Sequence, residues 1–113
     1  MSNITVGKKG EEIAKEYLVK KGYKILETNK RFSRFCEIDI IAFDKDTLVF
    51  VEVKTRKNDN FGTPMEAITP AKYKNITTGV LTYVSENNIK NYRIDAIAIT
   101  LYPQLKIEHL QNI

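Results

Sequence analysis

Glu37-Ile38-Asp39-Ile40-Ile41-Ala42-Phe43-Asp44-Lys45-Asp46-Thr47-Leu48-Val49-Phe50-Val51-Glu52-Val53-Lys54 is the stretch on which the fold turns. Its two apolar runs, 38–43 and 48–54, are rich in Ile, Val and Phe, and a short polar link joins them. That pattern predicts a β-hairpin. Side chains alternate faces along a strand, so Leu48, Phe50, Glu52 and Lys54 share one face and Val49, Val51 and Val53 the other. If Asp44 pairs with Thr47 across a two-residue loop, Asp39 falls opposite Glu52 and Glu37 opposite Lys54. A four-residue loop keeps this register, whereas a three-residue loop shifts it by one and breaks it.

The charges inside those runs need a reason, because apolar strands normally carry core residues. Two carboxylates facing each other across a ladder repel unless a cation sits between them. Mg²⁺ is the natural candidate, since it is held by one or two carboxylates together with phosphate oxygens and water. The competing reading is a partly buried charge cluster without chemistry, in which Lys54 and nearby basic residues neutralise Asp39 and Glu52. Such a cluster stabilises little, because desolvation offsets the Coulomb attraction.

The chain has 113 residues, the size of one domain with a single sheet and a few helices. One cysteine, Cys36, excludes an internal disulfide framework, and one histidine, His109, excludes a His-rich metal site. The sequence from Met1 to Val6 is followed by charge rather than an apolar stretch, and no window approaches a membrane span, so a cytoplasmic protein is expected. A net charge of +4, from 18 Lys and Arg against 14 Asp and Glu, is compatible with a polyanionic partner. Lys8-Lys9, Lys20-Lys21, Lys30-Arg31, Arg34 and Arg56-Lys57 all lie in the first half, several beside the carboxylate strands; the bland alternative is a solubilising surface.

Working outward, Val6 to Lys21 reads as a helix with Ile13, Ala14, Tyr17 and Leu18 on its apolar stripe and Gly22 at its end. Glu12 points away from the stripe and Glu11 lies at its edge, where the pattern alone favours an acid complementing the helix dipole. Gly7 and Gly10 fall on the apolar side, which suggests that another backbone or a ligand comes close. Tyr23 to Glu27 is a short strand, and Asn29 to Phe35 a polar, basic connection. Arg56 to Gly62 reads as a loop able to fold over a substrate. Thr69-Pro70 is an N-cap followed by Pro at the first helical position, opening a helix through Tyr73, Ile76, Val80, Tyr83 and Val84. Lys72 lies in its first turn. Tyr92 to Thr100 is a strand and Leu105 to Leu110 an edge strand, giving the order α-β-β-β-α-β-β in one domain, 1–113.

The blocks Gly7-x-x-Gly10-Glu11-x-x-Ala14-x-x-Tyr17-Leu18, Glu37-Ile38-Asp39-Ile40-Ile41-Ala42, Leu48 to Arg56, Phe61-Gly62-x-Pro64, Lys72 and Arg93-Ile94-Asp95 resemble the YraN family across nearly the whole chain. That family is similar to Holliday junction resolvases of the PD-(D/E)XK nuclease superfamily. The resemblance implies an α/β, restriction-endonuclease-like core with a mixed central sheet flanked by helices. It implies that Asp39 and Glu52 bind metal, that Lys54 is the lysine of the signature, and that Glu11 is the helical acid completing the site. Residue 38 is Ile where the superfamily name has Pro, and Cys36 stands where Gly usually precedes Glu-Ile-Asp, so a side chain there narrows the approach.

On this reading the chain is a metal-dependent endonuclease acting on DNA. Asp39 and Glu52, with Glu11 and a backbone carbonyl near Val53, would hold Mg²⁺, with Mn²⁺ as substitute. Lys54 would orient or help deprotonate the attacking water and stabilise transition-state charge. Arg31, Arg34, Arg56, Lys57 and Lys72 would contact phosphates, which positions nucleic acid without reading its sequence. The resemblance further implies branched DNA and a homodimer with one site per strand. The alternative is a nucleic-acid-binding module with the same fold that cuts poorly or not at all.

Overall fold

The computed structural model describes residues 3–34, 36–58 and 68–113. Two helices and five strands follow in the order α1 (Asn3–Lys20), β1 (Lys24–Ser33), β2 (Cys36–Asp44), β3 (Thr47–Arg56), α2 (Pro70–Glu86), β4 (Tyr92–Thr100) and β5 (Lys106–Leu110). The strands form one mixed sheet in sequence order, β1-β2-β3-β4-β5. β3 and β4 are parallel, as a strand-helix-strand crossover through α2 allows, and the other three pairs are antiparallel. The α/β order expected from the sequence is the order found.

The alternation along β3 sorts two cores. Val49 and Val51, with Ile40, Ala42, Ile97 and Ile99, pack on one face with Ala14 and Leu18 of α1. Leu48 and Phe50, with Ile41 and Ile94, pack on the other with Ile76, Val80 and Tyr83 of α2. Each buried Val, Leu, Ile or Phe among them contributes about 1.5–3 kcal/mol relative to exposure, so the two faces fix the helices against opposite sides of the sheet. Gly10 lets α1 approach closely: a Cβ there would run into the Thr55 side chain. A Cβ at Gly7, by contrast, would meet nothing within 4 Å among the described residues.

Three expectations need correction. α1 begins at Asn3, about one turn earlier than Val6, so Glu11 lies well inside the helix and a role for it in complementing the N-terminal dipole fails. β1 runs through to Ser33, so most of the supposed connection is strand. Its backbone pairs Thr28 with Ile40, Lys30 with Ile38 and Arg31 with Glu37, and its polar side chains are those of a solvated edge strand. The third concerns Lys54 and Glu37, described below. The loop expected over Arg56 to Gly62 lies beyond Asn58 outside the described residues. Thr69 caps α2 by accepting from the Lys72 backbone N–H at 3.1 Å. No helix among the described residues is long and apolar enough to cross a membrane.

Candidate functional site

Of the links considered from the sequence, the hairpin has the two-residue one, with Asp44 paired to Thr47 and the register running to Ile40 against Val51. There the ladder stops, one step short of Asp39 and Glu52. The Asp39 carboxylate takes over from the missing ladder bond: its Oδ2 accepts from the Val53 N–H at 2.8 Å. This satisfies a backbone donor and fixes the acid beside β3. Glu52 is 6% exposed and its partner comes from α2, with Lys72 Nζ 2.6 Å from Oε1.

Glu11 reaches the same place from α1 and hydrogen-bonds Asp39. Two carboxyls share such a bond only when one keeps its proton. Burial pushes the Asp39 carboxyl up to about 8, the Glu52 charge adding to the rise and the Val53 N–H opposing it. Burial also raises Glu11, against the hydrogen bond to Asp39 and with the charge of Glu37. Asn29 holds the outer rim. With its amide nitrogen turned toward the acids it donates to Glu11 Oε1 and Glu37 Oε1, both at 3.1 Å. Asn29 has φ 51°, a left-handed conformation that Asn tolerates better than most residues. Nothing in the strand pattern marks it, and sequence reasoning missed it.

Two recesses meet at these acids. One, with a cavity volume of about 310 Å³, is lined by Arg31, Arg34, Cys36, Glu37, Asn75 and Ile76 together with Asp39, Glu52 and Lys72. The other, about 430 Å³, is lined by Val6, Gly7, Glu11, Val53, Lys54 and Thr55 with the same Asp39, Glu52 and Lys72. Cys36 is buried in the first wall, where its Sγ would lie 2.6 Å from a Cβ added to Gly79 of α2. Burial pushes its thiol up, so it is a wall and not a nucleophile.

The structure thus brings together Glu11, Asp39, Glu52, Val53, Lys54 and Lys72, with Arg31 and Arg34 beside them. Arg56 and Lys57 are not among the residues lining either recess; Arg56 Nε donates to Thr100 Oγ1 at 3.0 Å. The expected approach of Glu37 to Lys54 is not found. Glu37 is paired with Arg31, whose Nη2 is 3.1 Å from Oε2, because the β2–β3 ladder ends before the register can carry Glu37 to Lys54. Lys54 is exposed at the second recess. The donor set of carboxylates and a strand carbonyl suits a hard cation. Among the described residues, however, no three His, Cys, Asp or Glu side chains are already gathered for one ion. Lys72 and the Val53 N–H engage two of the acids instead.

Residues 10–99 match the model of a family described as "Uncharacterised protein family UPF0102". The chain is 46% identical to a UPF0102 protein of Caldanaerobacter subterraneus subsp. tengcongensis over 114 residues, covering 96% of this chain and 93% of that one. It is 46% identical to a UPF0102 protein of Syntrophus aciditrophicus over 104 residues, 90% and 81% of the two chains. A UPF0102 protein of Thermodesulfovibrio yellowstonii is 45% identical over 114 residues, 99% and 97% of the two. The chain belongs to the UPF0102 family. The span that matches the UPF0102 model contains every candidate acid and lysine from Glu11 to Lys72, and also Asp95, but stops short of His109.

Those last two residues form a second polar cluster in this UPF0102 chain. Asp95 is 0% exposed, and its carboxylate receives Arg93 Nε at 3.0 Å, His109 Nε2 at 2.7 Å and the Asn112 N–H at 3.0 Å. Burial works to raise this carboxyl, but the hydrogen bonds from His109, Asn112 and Arg93 outweigh it and hold it below the usual range. Arg93 Nη2 continues to Tyr23 Oη at 2.7 Å and Asp44 Oδ2 at 3.1 Å, and His109 Nδ1 to Tyr17 Oη at 3.0 Å. The cluster ties α1, β2, β4 and β5 together away from the recesses. A charged Asp95 within an apolar strand is its only signal in the sequence.

Proposed function

We propose that this chain is a metal-dependent endonuclease that hydrolyses phosphodiester bonds in DNA, with branched or structured DNA as substrate. The observation that carries the reading is the convergence of Glu11, Asp39 and Glu52 from three elements on one place, bordered by Lys54 and Lys72. Buried acids near enough to raise one another's proton affinity are poorly arranged for stability alone, and a cation drawing Glu11, Asp39 and Glu52 together would relieve that strain. The resemblance to PD-(D/E)XK resolvases points the same way.

Asp39, Glu52, Glu11 and the Val53 carbonyl would hold Mg²⁺ or Mn²⁺. When bound, the ion would acidify a water and neutralise phosphoryl oxygens. The remaining work belongs to the chain. The Val53 N–H keeps Asp39 aimed into the recess. Asn29 keeps Glu11 and Glu37 apart and oriented. Lys54, exposed at the second recess, would orient the attacking water and stabilise charge on the phosphoryl oxygens. Arg31, Arg34 and Lys72 would receive backbone phosphates around the acids, with Arg56 and Lys57 farther along β3. A homodimer would present one site to each strand of a junction, in the cytoplasm.

The second reading is a binding module of the same fold without cleavage, and the Lys72–Glu52 contact favours it, since an acid already neutralised has less need of a metal. A panel of branched, linear and single-stranded substrates with Mg²⁺ or Mn²⁺ separates the two. The nuclease reading expects cleavage that chelator abolishes and that Asp39→Ala or Glu52→Ala removes while the protein stays folded. Binding without metal-dependent cleavage of any substrate selects the module.

A further inference from the structure

α2 opens with Thr69-Pro70-Ala71-Lys72, a good N-cap followed three residues later by a lysine where a capping box has Glu or Gln. The first turn of α2 contains no acid at all. A cation there opposes the helix dipole, which favours negative charge at this end. Lys72 is therefore misplaced as a helix residue and must be held by something else. That partner is Glu52: the ammonium lies 2.6 Å from Oε1, with the lysine side chain 41% exposed and the glutamate side chain 7%. Lys72 also lines both recesses.

Resting on the nuclease reading, we infer that Lys72 is a tethered counter-ion that holds the cation position at Glu52 until a divalent ion displaces it, and that the displaced ammonium then receives a substrate phosphate. The ammonium lies against Glu52 Oε1 and its positive charge repels a divalent ion approaching the same carboxylate, so the two compete. The flexible stem and exposed end of Lys72 allow it to leave without moving α2, whose cap uses the Lys72 backbone N–H and not its side chain. Once released beside the acids, the ammonium lies where a phosphate bound at the metal would arrive. Metal and DNA then strengthen each other's binding, and the reciprocity of linked equilibria makes the two effects equal. Lys72 is on this account a positioning residue that acts through Glu52, and the absence of an acid from the first turn of α2 follows from the same need.

The test is calorimetric titration of Mg²⁺ into the full chain, comparing the parent with K72M, K72Q and K72R, each first shown by circular dichroism to be folded. Removing the competing ammonium should tighten Mg²⁺ binding by roughly tenfold in K72M and K72Q, within the usual range of site coupling, while K72R stays near the parent. Without divalent ions K72M should melt below the parent, and saturating Mg²⁺ should close that gap. Ca²⁺ should raise the affinity of the parent for a DNA hairpin more than it does that of K72M. Unchanged or weaker Mg²⁺ binding in both neutral variants overturns the inference. If DNA is cut with Mg²⁺ but the variants bind the ion like the parent, only the role of Lys72 falls. If the variants bind Mg²⁺ more tightly and no DNA is cut, the counter-ion role stands and the nuclease reading falls. Failure of the parent and all variants to bind a divalent ion overturns both.

Discussion

Replacing Asp39 by Asn should remove most of a pH dependence of stability that the parent shows in cation-free buffer. In the fold the Asp39 carboxyl is pushed up to about 8 from an ordinary value of 3.8, first by burial and then by Glu52. The native state therefore binds this proton more tightly than the unfolded chain does. Its contribution is present at low pH and is lost as pH rises from about 4 toward 8, the reverse of a salt-bridged aspartate. A full one-proton difference changes stability by about 1.4 kcal/mol per pH unit, so a ceiling of about 2.7 kcal/mol applies between pH 5 and 7. Asp39 opens onto the recesses, where solvent screens its charge, which reduces the expected loss to about 1–1.5 kcal/mol. Asn keeps an oxygen to accept the Val53 N–H, so the substitution tests charge rather than geometry. Urea unfolding with chelator at pH 5, 6 and 7 measures the two slopes, and taking their difference cancels the groups that do not interact with Asp39. Equal slopes for parent and Asp39→Asn would refute the crowding of the acids on which the proposed site rests.

Asp95→Ala should destabilise the fold by about 3–5 kcal/mol in urea unfolding, because Arg93 and His109 would be left without their shared carboxylate; a loss under about 1 kcal/mol would contradict the network. Gly10→Ala should cost about 1–3 kcal/mol, since its Cβ would meet Thr55 Oγ1, and Thr55→Ala in the same chain should restore part of the loss in thermal melts. Lys54→Ala should lower single-turnover cleavage by roughly a hundredfold or more while calorimetric Mg²⁺ affinity stays near that of the parent, and cleavage at the parental rate would remove Lys54 from the chemistry.

The hairpin is legible in the sequence because two runs rich in β-branched residues flank a short polar link, which brings Asp39 and Glu52 to the same end of the two strands. What spacing cannot give is where that ladder ends. Its end at Ile40 and Val51 turns Asp39 toward Val53 and leaves Glu37 with Arg31 instead of Lys54. β1 reads short because a solvated edge strand carries the same polar residues as a loop. Lys72 and Glu52 meet only through the docking of α2, and Tyr17, Asp95 and His109 only through the closing of the sheet against α1. Pairings so distant in sequence leave no periodicity to read. The odd lysine at the third position of a capped helix is visible in the sequence, but its reason is not.

The two recesses share Asp39, Glu52 and Lys72, yet their other walls come from different elements, β1 and α2 on one side and α1 and the end of β3 on the other. A small anion can occupy only one side at a time. A polymer that crosses the shared ridge engages both through one chain, and its second contact is made at the high effective concentration set by the first. Affinity along a series of oligonucleotides should therefore rise in a step, at the length that first spans the ridge, rather than evenly with each added nucleotide. The ridge would act as a ruler for its ligand.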